Sequence, residues 1–171
     1  MAATFKPVYV ASAAVSVGTA FNALPTSSTR IAGAQTAEVD NTSNLYDDIL
    51  LSGSVKLGTS PTVSKQVDVW VFACKDGSSV YPDVITGAGA GTKTLTSENV
   101  RNAGGQLLKS MLADAVTGRL LEFNNLSVAA LFGGVLPQKF VVFIAHDTAV
   151  NLDASAGFVC NMLGVQWQSL P

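Results

Sequence analysis

His146 is the only histidine in the chain, and so the only side chain whose unperturbed pKa suits general-base work near neutral pH. It is followed by Asp147, and Cys74, Cys160 and many serines stand elsewhere as conceivable nucleophiles. None of them sits in a G-x-S-x-G turn or another local nucleophile pattern. One histidine cannot build a two-histidine metal site or two-histidine catalysis. Neither cysteine has a second Cys or His at the close spacing zinc sites use. The chemistry available to His146 is therefore local: a strand-end histidine held by hydrogen bonds. Cys74 and Cys160 each lie inside an apolar run, as buried free thiols do, and a pair alone does not argue for an oxidising compartment.

Gly87-Ala88-Gly89-Ala90-Gly91-Thr92-Lys93-Thr94 matches the phosphate-binding pattern G-x-x-x-x-G-K-[ST] at the first Gly, the Lys and the final Thr. Thr92 replaces the second Gly, whose freedom lets the backbone curl round phosphates. The following Thr94-Leu95-Thr96 reads as extended rather than as the helix that would complete the cradle. A flexible surface loop is the expectation, with no cofactor. Asp47 and Asp48 are adjacent, so on a strand they point to opposite faces and share no site; a solvated turn accounts for them. Trp70, Phe72, Phe140 and Phe143 fall within strand-like runs and are expected in the core. Trp167, flanked by Gln166 and Gln168 near the chain end, is the candidate protein-interface anchor, since Trp is enriched at contacts.

The elements that must position these residues have a period of two. Gln66-Val67-Asp68-Val69-Trp70-Val71-Phe72 alternates and then turns apolar on both faces. Lys139–Ala145 is a continuous, β-branched run that suits a central strand. Ile49–Leu57 and Phe158–Trp167 are two more strands, and Tyr9, Val10, Val15, Val17 and Phe21 mark an earlier one. Turn residues separate them, as in Gly58-Thr59-Ser60-Pro61 and Asp153-Ala154-Ser155-Ala156-Gly157, and strands at that spacing imply a sandwich or barrel. Leu107, Leu108, Met111, Leu112 and Ala115 recur at helical spacing after Ser97-Glu98, which predicts one short helix over roughly 97 to 115. The fold class is all-β with one helix. Residues 1–25 form an N-terminal strand or arm, and residues 26–171 a single sandwich domain.

At 171 residues the chain has the size of one domain. Its 48% hydrophobic content supplies a core, while 13% charged residues is about half the usual share. With a mean hydropathy of +0.36 and no expected membrane span, such an exterior suggests cover by other protein. The ten Lys and Arg are scattered, so nucleic acid is not an expected partner. The Pro7–Leu24 stretch contains Ser12, Ser16, Thr19 and Asn22, too polar for a span, and its alternating valines fit a strand better than a secretory signal.

Several phrases resemble, in order and spacing, a family of tailed-bacteriophage virion proteins. They are Ile31 to Asp48, the turn Gly58-Thr59-Ser60-Pro61-Thr62, Gln66 to Val71, Tyr81-Pro82-Asp83-Val84, Leu131 to Phe140, His146 to Leu152 and Gly164-Val165-Gln166-Trp167. The resemblance covers roughly residues 28 to 168. It implies a jelly-roll capsid decoration or cement protein on the capsid exterior of the virion, made in the host cytoplasm. Its partners would be the major capsid protein and itself, as a homodimer or homotrimer. No catalysis and no cofactor are implied. Two other readings stay open: a different virion component, such as a head-fibre base, tail or adaptor protein, and a carbohydrate-binding or hydrolytic sandwich. The last should show aromatics lined along one sheet face or paired acids across a cleft, and neither is visible in the sequence.

Overall fold

The structure is a computed structural model and describes residues 5–169. In chain order its elements are β1 (Phe5–Tyr9), β2 (Ala13–Ala14), a 3₁₀ turn (Thr19–Phe21), β3 (Ala32–Gln35), β4 (Val39–Asp40), β5 (Asp48–Lys56), β6 (Gln66–Ala73), β7 (Gly91–Thr94), α1 (Glu98–Gly104), β8 (Gln106–Leu112), β9 (Leu120–Ser127), the single turn α2 (Val128–Leu131), β10 (Lys139–His146) and β11 (Phe158–Ser169).

One sheet runs β1-β11-β5-β9 with β2 beside β11, and the other runs β7-β3-β10-β6-β8 with β4 beside β10; every pairing is antiparallel. Setting aside the short β2, β4 and β7, the eight remaining strands ranked in chain order lie 1-8-3-6 in one sheet and 2-7-4-5 in the other. That is the double Greek key of a jelly roll. The expected all-β sandwich is therefore the observed fold.

Alternation explains the main core. Ile49, Leu51 and Val55 of β5 face Phe158 and Cys160 of β11 on the inner side, against Val67, Val69, Val71, Val142 and Ile144 from the other sheet. β6 and β10 are buried on both faces because a second core covers their outer side. The chain between β6 and β8, residues 74–105, folds back over that face. Tyr81, Ile85 and Leu95 from this layer pack on Trp70, Phe72, Val141, Phe143 and Ala145. Glu38 helps pin the layer: its carboxylate accepts from Tyr81 Oη at 2.7 Å and Ser79 Oγ at 3.1 Å and meets Lys139 Nζ at 3.2 Å.

Three expectations are corrected. The helix predicted over 97 to 115 stops at Gly104; Ser97 caps it by accepting from Val100 N, but Gly105 is extended and Gln106–Leu112 is an edge strand. Two successive glycines lower helix propensity enough for pairing with β6 to win. Phe21 lies in a 3₁₀ turn rather than a strand and is buried against Phe158, ring centroids 5.0 Å apart. The Gly87–Thr94 segment is not a free loop. Gly91–Thr94 pairs with β3, and the buried Gln35 amide donates to Gly89 O at 2.9 Å and to Thr86 O while accepting from Thr86 N at 3.1 Å.

Candidate functional site

The groups that could conceivably have done chemistry lie apart. His146, at the end of β10, is fully buried; Nε2 donates to the Leu24 carbonyl at 3.0 Å, and Nδ1 lies 2.9 Å from Thr148 Oγ1, which is also 3.0 Å from the Val150 carbonyl. Asp147 instead accepts from Gln66 N and Arg30 Nη1. Cys160 is buried in the main core, where burial pushes its thiol up to about 12. Cys74 sits half-buried on the other sheet, so the two thiols are separate. A cleft of about 540 Å³ adjoins Cys74, Asp83 and Gly104, but His146 does not line it. Among the described residues no group of His, Cys, Asp and Glu could hold a metal, and no helix is long and apolar enough to cross a membrane.

The buried histidine makes stability depend on pH. Burial holds His146 below its ordinary 6.5, opposed by the Leu24 hydrogen bond and the nearby Asp147 charge. The unfolded chain therefore binds more protons below 6.5 than the folded chain does. Stability is full above 6.5 and is lost as pH falls from there toward the folded pKa. The lowered aspartates titrate beneath this window, as with Asp153, held at about 2 by Ser155 N–H and hydroxyl and by Lys56. Urea midpoints at about pH 7.5 and about pH 5.5 should differ in the native chain. In His146→Gln the midpoint should be lower and nearly independent of pH across that interval; an unchanged native midpoint would refute the assignment.

Asp47 and Asp48 do not share a site, as expected, but they are not a solvated turn. Asp48 ties β5 to the β9–α2 junction, accepting from Ser127 Oγ at 2.6 Å and Ala129 N at 2.8 Å. Asp47 caps the free edge of β11 by accepting from Trp167 N at 2.7 Å.

What remains is a surface. The second core covers the outer face of one sheet, while the outer face of the other stays open. Along β11 the core positions are Phe158 and Cys160, so Val159, Asn161, Leu163, Val165 and Trp167 point outward. Phe5, Pro7 and Tyr9 of β1, opposite Ser169, Trp167 and Val165, share that side. Phe5, Tyr9 and Trp167 are 60%, 60% and 55% exposed. Trp167, the anchor expected from sequence, thus lies in an aromatic row along one sheet face, contrary to the expectation that no such row existed. Its other members sit at the opposite end of the chain, out of reach of a local reading. Charge is sparse here: Lys56 is paired with Asp153 at 3.1 Å, Asp48 opposite Val165 accepts from Ser127 and Ala129, Asp47 accepts from Trp167 N, and Glu122 stands on the far strand β9.

No family model matches this chain, and no curated protein matches it. The fold and the open face define a jelly-roll sandwich with a low-charge sheet face that bears exposed aromatic side chains.

Proposed function

We propose that this protein is a structural component of a phage particle, binding the outside of the assembled capsid and stabilising it as a decoration or cement protein. The observation that carries the reading is the open sheet face, where Phe5, Tyr9 and Trp167 stand exposed on a chain so poor in charge. The resemblance of its turn and strand phrases to tailed-phage virion proteins supplies the capsid as partner. In this role the protein performs no chemistry. Binding the assembled shell and not its separated subunits stabilises the shell by mass action, and an oligomer spanning several capsid subunits gains by multivalency.

Sedimentation tests this directly. Protein mixed with expanded heads that lack it should co-sediment to a saturating copy number and raise the temperature at which the heads release DNA. Protein that stays in the supernatant at all concentrations would overturn the proposal. A head-fibre base, tail or adaptor role would show instead as labelling confined to one vertex or to the tail in electron micrographs of the virion.

The aromatic row favours one second reading, because rings on a flat sheet face also stack against sugars. That reading requires retention on an insoluble polysaccharide that Trp167→Ala abolishes.

A further inference from the structure

We propose that Leu45 is a preformed anchor, which the loop between β4 and β5 inserts into an apolar recess of the assembled capsid. The inference rests on the capsid reading for its partner and deepens it by naming a contact beyond the open sheet face. Its physical grounds are the backbone conformation of Leu45, its exposure and the rigidity of the loop that carries it.

Leu45 is unfavourable in two ways where it stands. Its φ of 51° lies in the left-handed region, where a Cβ crowds the backbone. At 73% exposure it is also the most exposed large apolar side chain among the described residues, and it belongs to neither apolar core. Eight other non-glycine residues are left-handed, and each has an excuse that Leu45 lacks. Asn125 and Asp83 are of the types that tolerate this conformation, Arg30 is held by Asp68 and Asp147, and the remaining five are alanines and serines with little apolar surface to expose. Nothing within the chain offsets the two costs at Leu45. Backbone strain kept without an internal return points to a contact outside the molecule.

The loop is nevertheless rigid. The buried Asn41 side chain accepts from Tyr46 N at 2.9 Å and donates to Tyr46 O at 3.0 Å, and Leu45 N donates to Asn41 O at 3.0 Å. The Tyr46 ring lies over Gly164 of β11, where an added Cβ would meet it at 2.7 Å. Gln166 Nε2 donates to Asn44 O at 3.1 Å, and Asp47 accepts from Trp167 N. The residues on both sides of Leu45 are thus fixed. Its side chain is presented in one place and little backbone freedom is left to lose on binding, which is how preorganisation gains affinity.

A protruding apolar side chain calls for a recess. A two-fold contact through this loop would set Leu45 on Leu45 among Thr42, Ser43 and Asn44, one protrusion against another. The loop instead continues the Trp167 end of the open face, through the bonds from Gln166 and Trp167, so a partner seated on that face reaches Leu45 as well. Val135, 72% exposed, stands on the neighbouring loop, which Asn41 N joins to this one by donating to Gln138 O at 2.8 Å.

Leu45→Asn separates a role in binding from a role in folding, since Asn suits both the left-handed region and an exposed position. Its urea midpoint should be no lower than the native one. In co-sedimentation with expanded heads that lack the protein, its dissociation constant should rise about tenfold or more, the effect of withdrawing a leucine from an apolar recess. Val63→Asn, at an exposed position three residues before β6 and at the opposite end of the sandwich, should bind as the native chain does. A lowered midpoint in Leu45→Asn would assign the side chain to the fold and overturn the proposal, as would an equal loss of binding in Val63→Asn. Native binding that Leu45→Asn leaves untouched would overturn it while the capsid reading stands, whereas a native chain that ignores the heads would overturn both. Self-association of the native chain without heads, abolished by Leu45→Asn, would put the recess on a second copy and overturn the capsid assignment.

Discussion

Phe143→Ala is expected to cost about 3–5 kcal/mol of folding stability, a large share of what a domain of this size possesses. Phe143 is fully buried on β10 between the sheet and the 74–105 layer, meeting Phe72 edge-on with ring centroids 6.0 Å apart at 88°. Gln35 lies opposite it in the β3 ladder, and the tip of the Phe143 ring reaches over Gly33, where an added Cβ would lie 2.7 Å from the ring and against the Ile144 carbonyl. Glycine is at position 33 because ring and strand come that close, so nothing at that position can fill the space left by the ring. The expected result is a lower urea midpoint with an unchanged slope. Amide protection should fall first at Ile85 and Leu95, which the ring helps to hold against the sheet. Phe143→Leu, which fills much of the volume, should cost markedly less. Equal costs for the two substitutions would mean that packing at this seam does not hold the layer down.

The parts of this architecture legible in the sequence are those where burial leaves a local trace. β6 and β10 announce themselves because a strand covered on both faces has to be apolar at consecutive positions, and Val69 to Phe72 and Phe140 to Ala145 are so. β5 and β11 show the alternation of a one-sided strand. β8 was hidden because Leu107, Leu108, Met111 and Leu112 fit helical spacing as well as an irregular edge strand, and its pairing with β6 shifts register between Val69 and Trp70. The decisive local sign was Gly104-Gly105, which ends the helix. The surface was half legible: Trp167 stood out by type and exposed surroundings, but Phe5 and Tyr9 join it only because the two ends of the chain pair. The anchoring roles of Asp47 and Asp48 were invisible for the same reason, since Trp167 and Ser127 are remote in sequence.

The second large effect concerns Asp68, which a strand pattern places correctly but cannot explain. It is 4% exposed on the outer side of β6. One oxygen accepts from Arg30 Nε at 2.8 Å and the other from Ser110 Oγ at 2.7 Å. Arg30 also reaches Asp147 at 3.1 Å, and Arg101 of α1, stacked 4.8 Å from the Trp70 ring, donates to the Thr29 and Arg30 carbonyls at 3.1 and 2.8 Å. Two arginines and two aspartates thus join the loop before β3, β6, the residue after β10 and α1. Burial lowers the Arg101 pKa, and the Asp68 charge offsets that penalty. Asp68→Ala leaves this buried positive charge uncompensated, and breaking such a pair costs several kcal/mol. Because Arg30 keeps Asp147 and is itself 24% exposed, the expected loss is about 3 kcal/mol, the lower end of that range. Asp68→Asn retains an acceptor and should lose less, while Asp68→Ala combined with Arg30→Met should recover part of the single-mutant loss by removing a cation left with only one carboxylate partner. If the double variant is as unstable as the two single losses added, charge compensation is not what holds these elements together, and the burden falls on the Arg101 hydrogen bonds alone.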